Sequence, residues 1–423
     1  MKMLAHEMKL QWMVLAVFMV LSKWQHYAAG NQLVPCYFIF GDSLADNGNN
    51  NKLHVRVYTL AKVDYAPYGV DFRNGPTGRF CNGLTIVDII AEILGFHNYI
   101  PPFATAREAN MLYGLNYASG SAGIHDETGQ ELVLMIVTSS PAAPSPSEPR
   151  VPAHMSLHPL LADSLTKGVT KPQFLLFRSK LNVECISLNM QLQNHHKTVQ
   201  NLIGMLGNES ALTYLNKFLY SVGMGNNDYL NNYFMPQFFP TSQEYTLEKY
   251  TQLLIEQYSQ QLRSLYESGA RKLVVFGLGK IGCVPGAIAT YGTNGSACVE
   301  LLNDASRLFN SKLLPAIDQL NDDLPDAKII YIKSYRIGED STVLDLKVNN
   351  TACCPSSAIG QCIPDQIPCQ NRTQYMFWDS FHPTEIFNIF YAERSYSALD
   401  PSYAYPYDIH HLISLDQGVG EAM

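Results

Sequence analysis

Four short, largely apolar runs constrain this chain more than any other feature. They are Cys36–Phe40, Phe218–Val222, Leu273–Phe276 and Lys328–Ile332. A run with no polar alternation reads as a strand buried on both faces. Amphipathic segments lie between the later runs. From Leu247, apolar residues recur at Tyr250, Leu253, Leu254, Tyr258, Leu262 and Leu265, with Gly269 at the C-cap position. From Leu301 the series continues through Leu302, Ala305, Leu308, Phe309, Leu313 and Ile317. Buried strands alternating with amphipathic helices predict an α/β fold, a mostly parallel sheet covered on both faces. The first three runs end in Gly41-Asp42-Ser43, Gly223 with Gly225-Asn226-Asn227-Asp228, and Gly277 with Gly279. In such sheets ligands bind beyond the carboxyl ends of the strands, so these polar loops are expected to share one rim.

A chain of 423 residues with 47% hydrophobic content is ample for a large core. The net charge of -8 and the lack of a Lys/Arg stripe argue against nucleic acid as a partner. Lys2 and Lys9 precede an apolar run from Trp12 to Leu21, and Ala28, Ala29 and Gly30 follow. This pattern reads as a secretory signal peptide over residues 1–30, the other reading being a retained anchor. No second long apolar stretch predicts a stable membrane span. In a secreted chain the cysteines become a framework. Cys353, Cys354, Cys362 and Cys369 crowd one polar loop and read as disulfides, since no His lies among them to favour a metal. Cys283 and Cys298 can close a second small loop. Nine cysteines leave at least one unpaired. Sequons at Asn208, Asn294, Asn349 and Asn371 are expected glycosylation sites on a secreted surface.

A serine hydrolase needs an exposed Ser, a His in reach, a carboxylate that fixes the His tautomer, and donors for the oxyanion. Ser43 follows a buried strand on a glycine turn. Asp379-Ser380-Phe381-His382-Pro383 sets acid and base three residues apart, so one turn of chain points both the same way. Asn227 lies in the loop after the second strand. Gly120, in Tyr117-Ala118-Ser119-Gly120-Ser121-Ala122-Gly123, offers a backbone N–H. Taken singly, each motif is an ordinary turn; their joint occurrence makes the case. The predicted catalytic residues are Ser43, Asp379 and His382, with Gly120 and Asn227 as the oxyanion donors.

Here the residues reach a family. Phe40-Gly41-Asp42-Ser43, Pro76-Thr77-Gly78-Arg79-Phe80, Gly225-Asn226-Asn227-Asp228-Tyr229 and Phe377-Trp378-Asp379-Ser380-Phe381-His382-Pro383 occur in that order. They resemble the plant-type GDSL esterase/lipases of the SGNH hydrolase superfamily, from about Cys36 to about Tyr396. The Ser, Gly, Asn and His of that name map onto Ser43, Gly120, Asn227 and His382. The resemblance implies a three-layer α/β/α sandwich of flavodoxin-like type, no cofactor, and hydrolysis of acyl esters. The partner is then a small-molecule, lipid or acylated-carbohydrate ester. Residues 31–423 are expected to form one domain.

Two departures from the pattern stand out. Residues 132–184 are extra, an insertion containing the low-complexity stretch Ser139-Ser140-Pro141-Ala142-Ala143-Pro144-Ser145-Pro146. Cys81 stands where the resemblance calls for a small polar residue, which makes it the candidate free thiol. Gly277-Leu278-Gly279-Lys280-Ile281-Gly282 matches a dinucleotide fingerprint, but Cys283-Val284-Pro285-Gly286 follows where a continuing helix is required. Other functional readings use the same residues: an acyltransferase, a polysaccharide O-acetylesterase, or an inactive secreted binding protein.

Overall fold

A computed structural model describes residues 32–53, 61–130 and 185–415. The expected leader at 1–30 and the insertion at 132–184 lie outside the described residues.

Five strands form the main sheet in the order β1, β2, β3, β4, β7. β1 is Tyr37–Gly41, β2 Leu219–Gly223, β3 Lys272–Phe276 and β4 Lys328–Ile332. These four are parallel and sit within a residue of the apolar runs. β7, Ala404–Tyr405, adds an antiparallel edge. Alternate side chains divide between two cores, as the pleat requires. Phe38, Phe40, Tyr220, Val222, Leu273 and Val275 enter one. Tyr37, Ile39, Leu219, Val274, Ile330 and Ile332 enter the other.

Helices close each core. On the first face lie α2 (Leu188–Leu206), α3 (Leu247–Glu267) and α4 (Glu300–Asp323). On the second lie α1 (Ile86–Ile93), α5 (Glu385–Tyr396) and α6 (Ile409–Ser414). The result is the expected three-layer α/β/α sandwich with a mostly parallel sheet. α3 and α4 follow the periodicities read above. Gly269 sits just past α3 at a φ of +103°, a left-handed turn suited to glycine.

The register sets up the rim. Gly41 pairs with Gly223, and Gly223 with Phe276, so three strands end at one level. A fourth segment arrives there without regular strand geometry. Residues 113–119 run beside β1, with Tyr117 N–H donating to Ile39 O (2.8 Å) and Ser119 N–H to Gly41 O (3.0 Å). This delivers Gly120 to the edge where Ser43 and Asn227 emerge.

A smaller sheet pairs β5 (Val348–Ala352) with β6 (Tyr375–Phe377). Disulfides Cys353–Cys369 and Cys354–Cys362 staple the segment between them, and Cys283–Cys298 closes a separate loop. All three match the expected loops. Cys81 is free, and so are Cys36 and Cys185; all three are buried. The four sequon asparagines are exposed. No helix among the described residues is long and apolar enough to cross a membrane.

Candidate active site

Ser43 and His382 are 339 residues apart in sequence, and His382 Nε2 lies 2.8 Å from Ser43 Oγ. Each side is held differently. On the Ser43 side, β1 ends and the chain turns at once. Asp42 O accepts from the N–H groups of Ala45 and Asp46, and Asp42 Oδ1 takes the Leu44 N–H (2.9 Å). A Cβ on Gly41 would stand 3.1 Å from Gly223 O, so the turn needs a small residue there. The Ser43 N–H has no partner among the described residues.

On the His382 side, Asp379 is fully buried. Its Oδ1 accepts the backbone N–H groups of Phe381 and His382, each at 2.8 Å. His382 Nδ1 stands 2.9 Å from Oδ1 and 2.8 Å from Oδ2. The carboxylate therefore fixes Nδ1 as the protonated nitrogen and leaves the Nε2 lone pair facing Ser43. Phe80 packs on the imidazole with ring centroids 4.9 Å apart. It can do so because Gly120 has no side chain; a Cβ there would stand 2.6 Å from Phe80 Cζ.

Asn227 is buried at the same rim. Its Nδ2 donates to Ala122 O (2.9 Å), and its Oδ1 accepts from Asn231 Nδ2 (2.7 Å). These bonds fix the amide orientation and leave one Nδ2 hydrogen unassigned. Gly120 departs from expectation. Its N–H donates to Asp46 Oδ2 at 2.9 Å, so it is not the free oxyanion donor read from the sequence.

Asp46 is a residue the sequence reading passed over. Fully buried, it also accepts the N–H groups of Gly48 (2.8 Å) and Asn49 (2.9 Å) on Oδ1. Burial pushes its carboxyl up to about 6, while the three N–H donors and Arg79 pull it back. Asp228 does the same work for the next loop, accepting from Ile124 N–H, His125 N–H and the Thr128 hydroxyl. Both carboxylates tie rim loops that are distant in sequence. The signal for Asp46 was present, since Asp46-Asn47-Gly48 is an Asx-turn pattern.

The glycine loop at 277–282 forms no phosphate cradle. Leu278 N–H and O bond the Asn310 amide, and Gly282 N–H donates to Asn303 Oδ1 (2.9 Å). Among the described residues no cluster of His, Cys, Asp or Glu could hold a metal ion.

The family model for GDSL-like lipase/acylhydrolase matches residues 37–394. Three GDSL esterase/lipases of Arabidopsis thaliana are similar throughout. They are 41%, 39% and 41% identical over 95%, 95% and 96% of this chain, and over 99%, 99% and 98% of their own lengths. With strand, turn and histidine loop all inside the matched span, the chain belongs to the GDSL-like lipase/acylhydrolase family and is a hydrolase acting on ester bonds.

Proposed function

We propose that this chain is a secreted serine esterase/lipase that cleaves carboxylic ester bonds through an acyl-enzyme. The 2.8 Å contact between His382 Nε2 and Ser43 Oγ carries the reading. A serine hydroxyl is a weak nucleophile until a positioned base takes its proton. His382 takes it as Ser43 Oγ attacks the ester carbonyl, and Asp379 stabilises the imidazolium that forms. The negative charge on the carbonyl oxygen is met by the Ser43 N–H and the remaining Asn227 Nδ2 hydrogen. Gly120 keeps the loop close and admits Phe80. His382 returns the proton to the leaving alcohol. Water then attacks the acyl-enzyme by the same steps in reverse.

The relatives' printed names, esterase/lipase, support small-molecule or lipid esters as the substrate class. The leader-like run at Trp12–Leu21 and three disulfides support an oxidising, extracellular destination. We take residues 31–423 as one hydrolase domain behind that leader, with 132–184 inserted.

The test uses the purified chain on p-nitrophenyl esters of graded length. Asn227→Ala is expected to lower kcat by roughly a hundredfold or more, as loss of one oxyanion donor does, with circular dichroism unchanged. Full activity in that folded variant would reject the oxyanion assignment.

A further inference from the structure

The stapled loop reaches the reacting residues through one side chain. Tyr68 is fully buried, and its hydroxyl donates to Asp379 Oδ2 at 2.7 Å. That hydroxyl in turn accepts the backbone N–H of Cys362 at 3.1 Å. Cys362 is pinned by its disulfide to Cys354, whose own N–H donates to Trp378 O (3.0 Å) beside Asp379. Trp378 N–H donates to His382 O, and Ser380 N–H to Gly360 O. The loop therefore grips the Asp379–His382 turn by its backbone on one side and by Tyr68 on the other. Trp378, Tyr68, Phe80, Cys353, Cys354 and Cys362 pack as one separate cluster.

We propose that Tyr68 is a positioning residue for catalysis, its hydroxyl oriented by the Cys354–Cys362 staple so that it holds the Asp379 oxygen that also receives His382 Nδ1. The inference rests on the reading of Ser43 as nucleophile given above. Oδ1 already has two backbone donors; Oδ2 has only Tyr68 besides the imidazole. A carboxylate accepts and does not donate, so the tyrosine supplies the proton in this bond. Burial, followed by the charge of Asp379, holds the phenol far above its usual range, so it stays protonated. The bond does two things. It stops Asp379 rotating about its side-chain bonds, and by donating to Oδ2 it offsets part of the negative charge that faces His382 Nδ1. Without it, Asp379 stabilises a protonated imidazole more strongly.

Other titratable groups near this chain of bonds are few. Asp42 acts on His382 electrostatically from beneath Ser43, and Tyr65 faces Tyr68. Neither changes in the variant.

The experiment is the pH dependence of kcat/KM for p-nitrophenyl acetate with the full chain and Tyr68→Phe, together with phosphonate labelling of Ser43. The variant is expected to lose about tenfold in kcat with KM nearly unchanged, the scale of one lost bond to a charged group. Its acid limb is expected to move to higher pH. A purely structural tyrosine would lower the yield or melting temperature and leave that limb in place. Wild-type kcat and an unmoved acid limb in folded Tyr68→Phe would overturn the proposal. If that variant does not fold, Cys354→Ala/Cys362→Ala carries the decision, an unmoved limb overturning the proposal and a shift in the same direction supporting it. Failure of the wild-type chain to label at Ser43 would instead reject the underlying reading of the nucleophile.

Discussion

Ser43 and His382 touch, yet they belong to regions built on different principles. Ser43, the proposed nucleophile, hangs from the main sheet. β1 is buried along its whole length, lies parallel to β2, and carries residues 113–119 on its other edge. Its loop is then fixed by buried carboxylates accepting backbone N–H groups. His382, the proposed base, comes from a region with almost no regular structure. A three-residue strand, two disulfides and a cluster of seven buried residues hold the Asp379–His382 turn. Sheet burial fixes the first by packing area. Crosslinks and a few aromatic side chains fix the second where the local core is too small to do so alone. The proposed nucleophile and the proposed base are thus supported separately.

Substitutions on each side test that division. On the base side, Asp379→Asn keeps the shape but makes the wrong imidazole tautomer the stable one. It is expected to cut kcat by roughly ten-thousandfold with little change in KM, measured on a p-nitrophenyl ester. Activity within tenfold of wild type would show that His382 does not need its carboxylate. On the nucleophile side the largest supporting effect is expected at Asp46. Asp46→Asn keeps Oδ1 for Gly48 and Asn49, but turns an NH2 toward the Gly120 N–H, donor against donor. The loss is expected to be about tenfold in kcat and about 1–3 kcal/mol in unfolding free energy. An unchanged variant would mean that the carboxylate clamp is dispensable.

How much of this was legible in the sequence follows from what periodicity encodes. The four long strands declared themselves because a strand buried on both faces must be mostly apolar along its length. α3 and α4 declared themselves because each buries one stripe. Ser43, Asp379 and His382 stood out because their loops are short and chemically distinctive, and the fold brings the three side chains together. The partners that hold them did not stand out. Tyr68 and Asp379 are 311 residues apart, and nothing local in either segment records that bond. Residues 113–119 pair with β1 on one side only and have no apolar run long enough to read. β7 is two residues long. Gly120 reaches the rim, but its N–H bonds Asp46 Oδ2, because the sequence does not say where a backbone N–H points.

A third effect concerns acid stability, and it too falls on the Ser43 side. His195 is buried among Phe38, Phe40, Tyr117 and Tyr220, beneath β1. Desolvation, with a small contribution from His196, lowers it to about 3. The folded chain keeps this imidazole neutral down to that pH, whereas the unfolded chain protonates it below about 6.5. The unfolded state thus binds more protons as pH falls through this window, and stability declines by up to about 1.4 kcal/mol per pH unit. Asp46, raised to about 6, opposes this trend over part of the range, since the folded state then holds its proton longer. Comparing His195→Leu with wild type isolates the histidine. Denaturant unfolding between pH 7 and pH 4 is expected to show a smaller acid loss in the variant; equal losses would show that His195 is not the acid-sensitive group.

The central claim is that His382 activates Ser43. Mass spectrometry of the full chain after treatment with a serine-directed organophosphonate tests it directly. The account predicts a single adduct on Ser43, absent in Ser43→Ala and formed far more slowly in His382→Gln. An adduct on another residue, or labelling of Ser43 at the wild-type rate without His382, would contradict it.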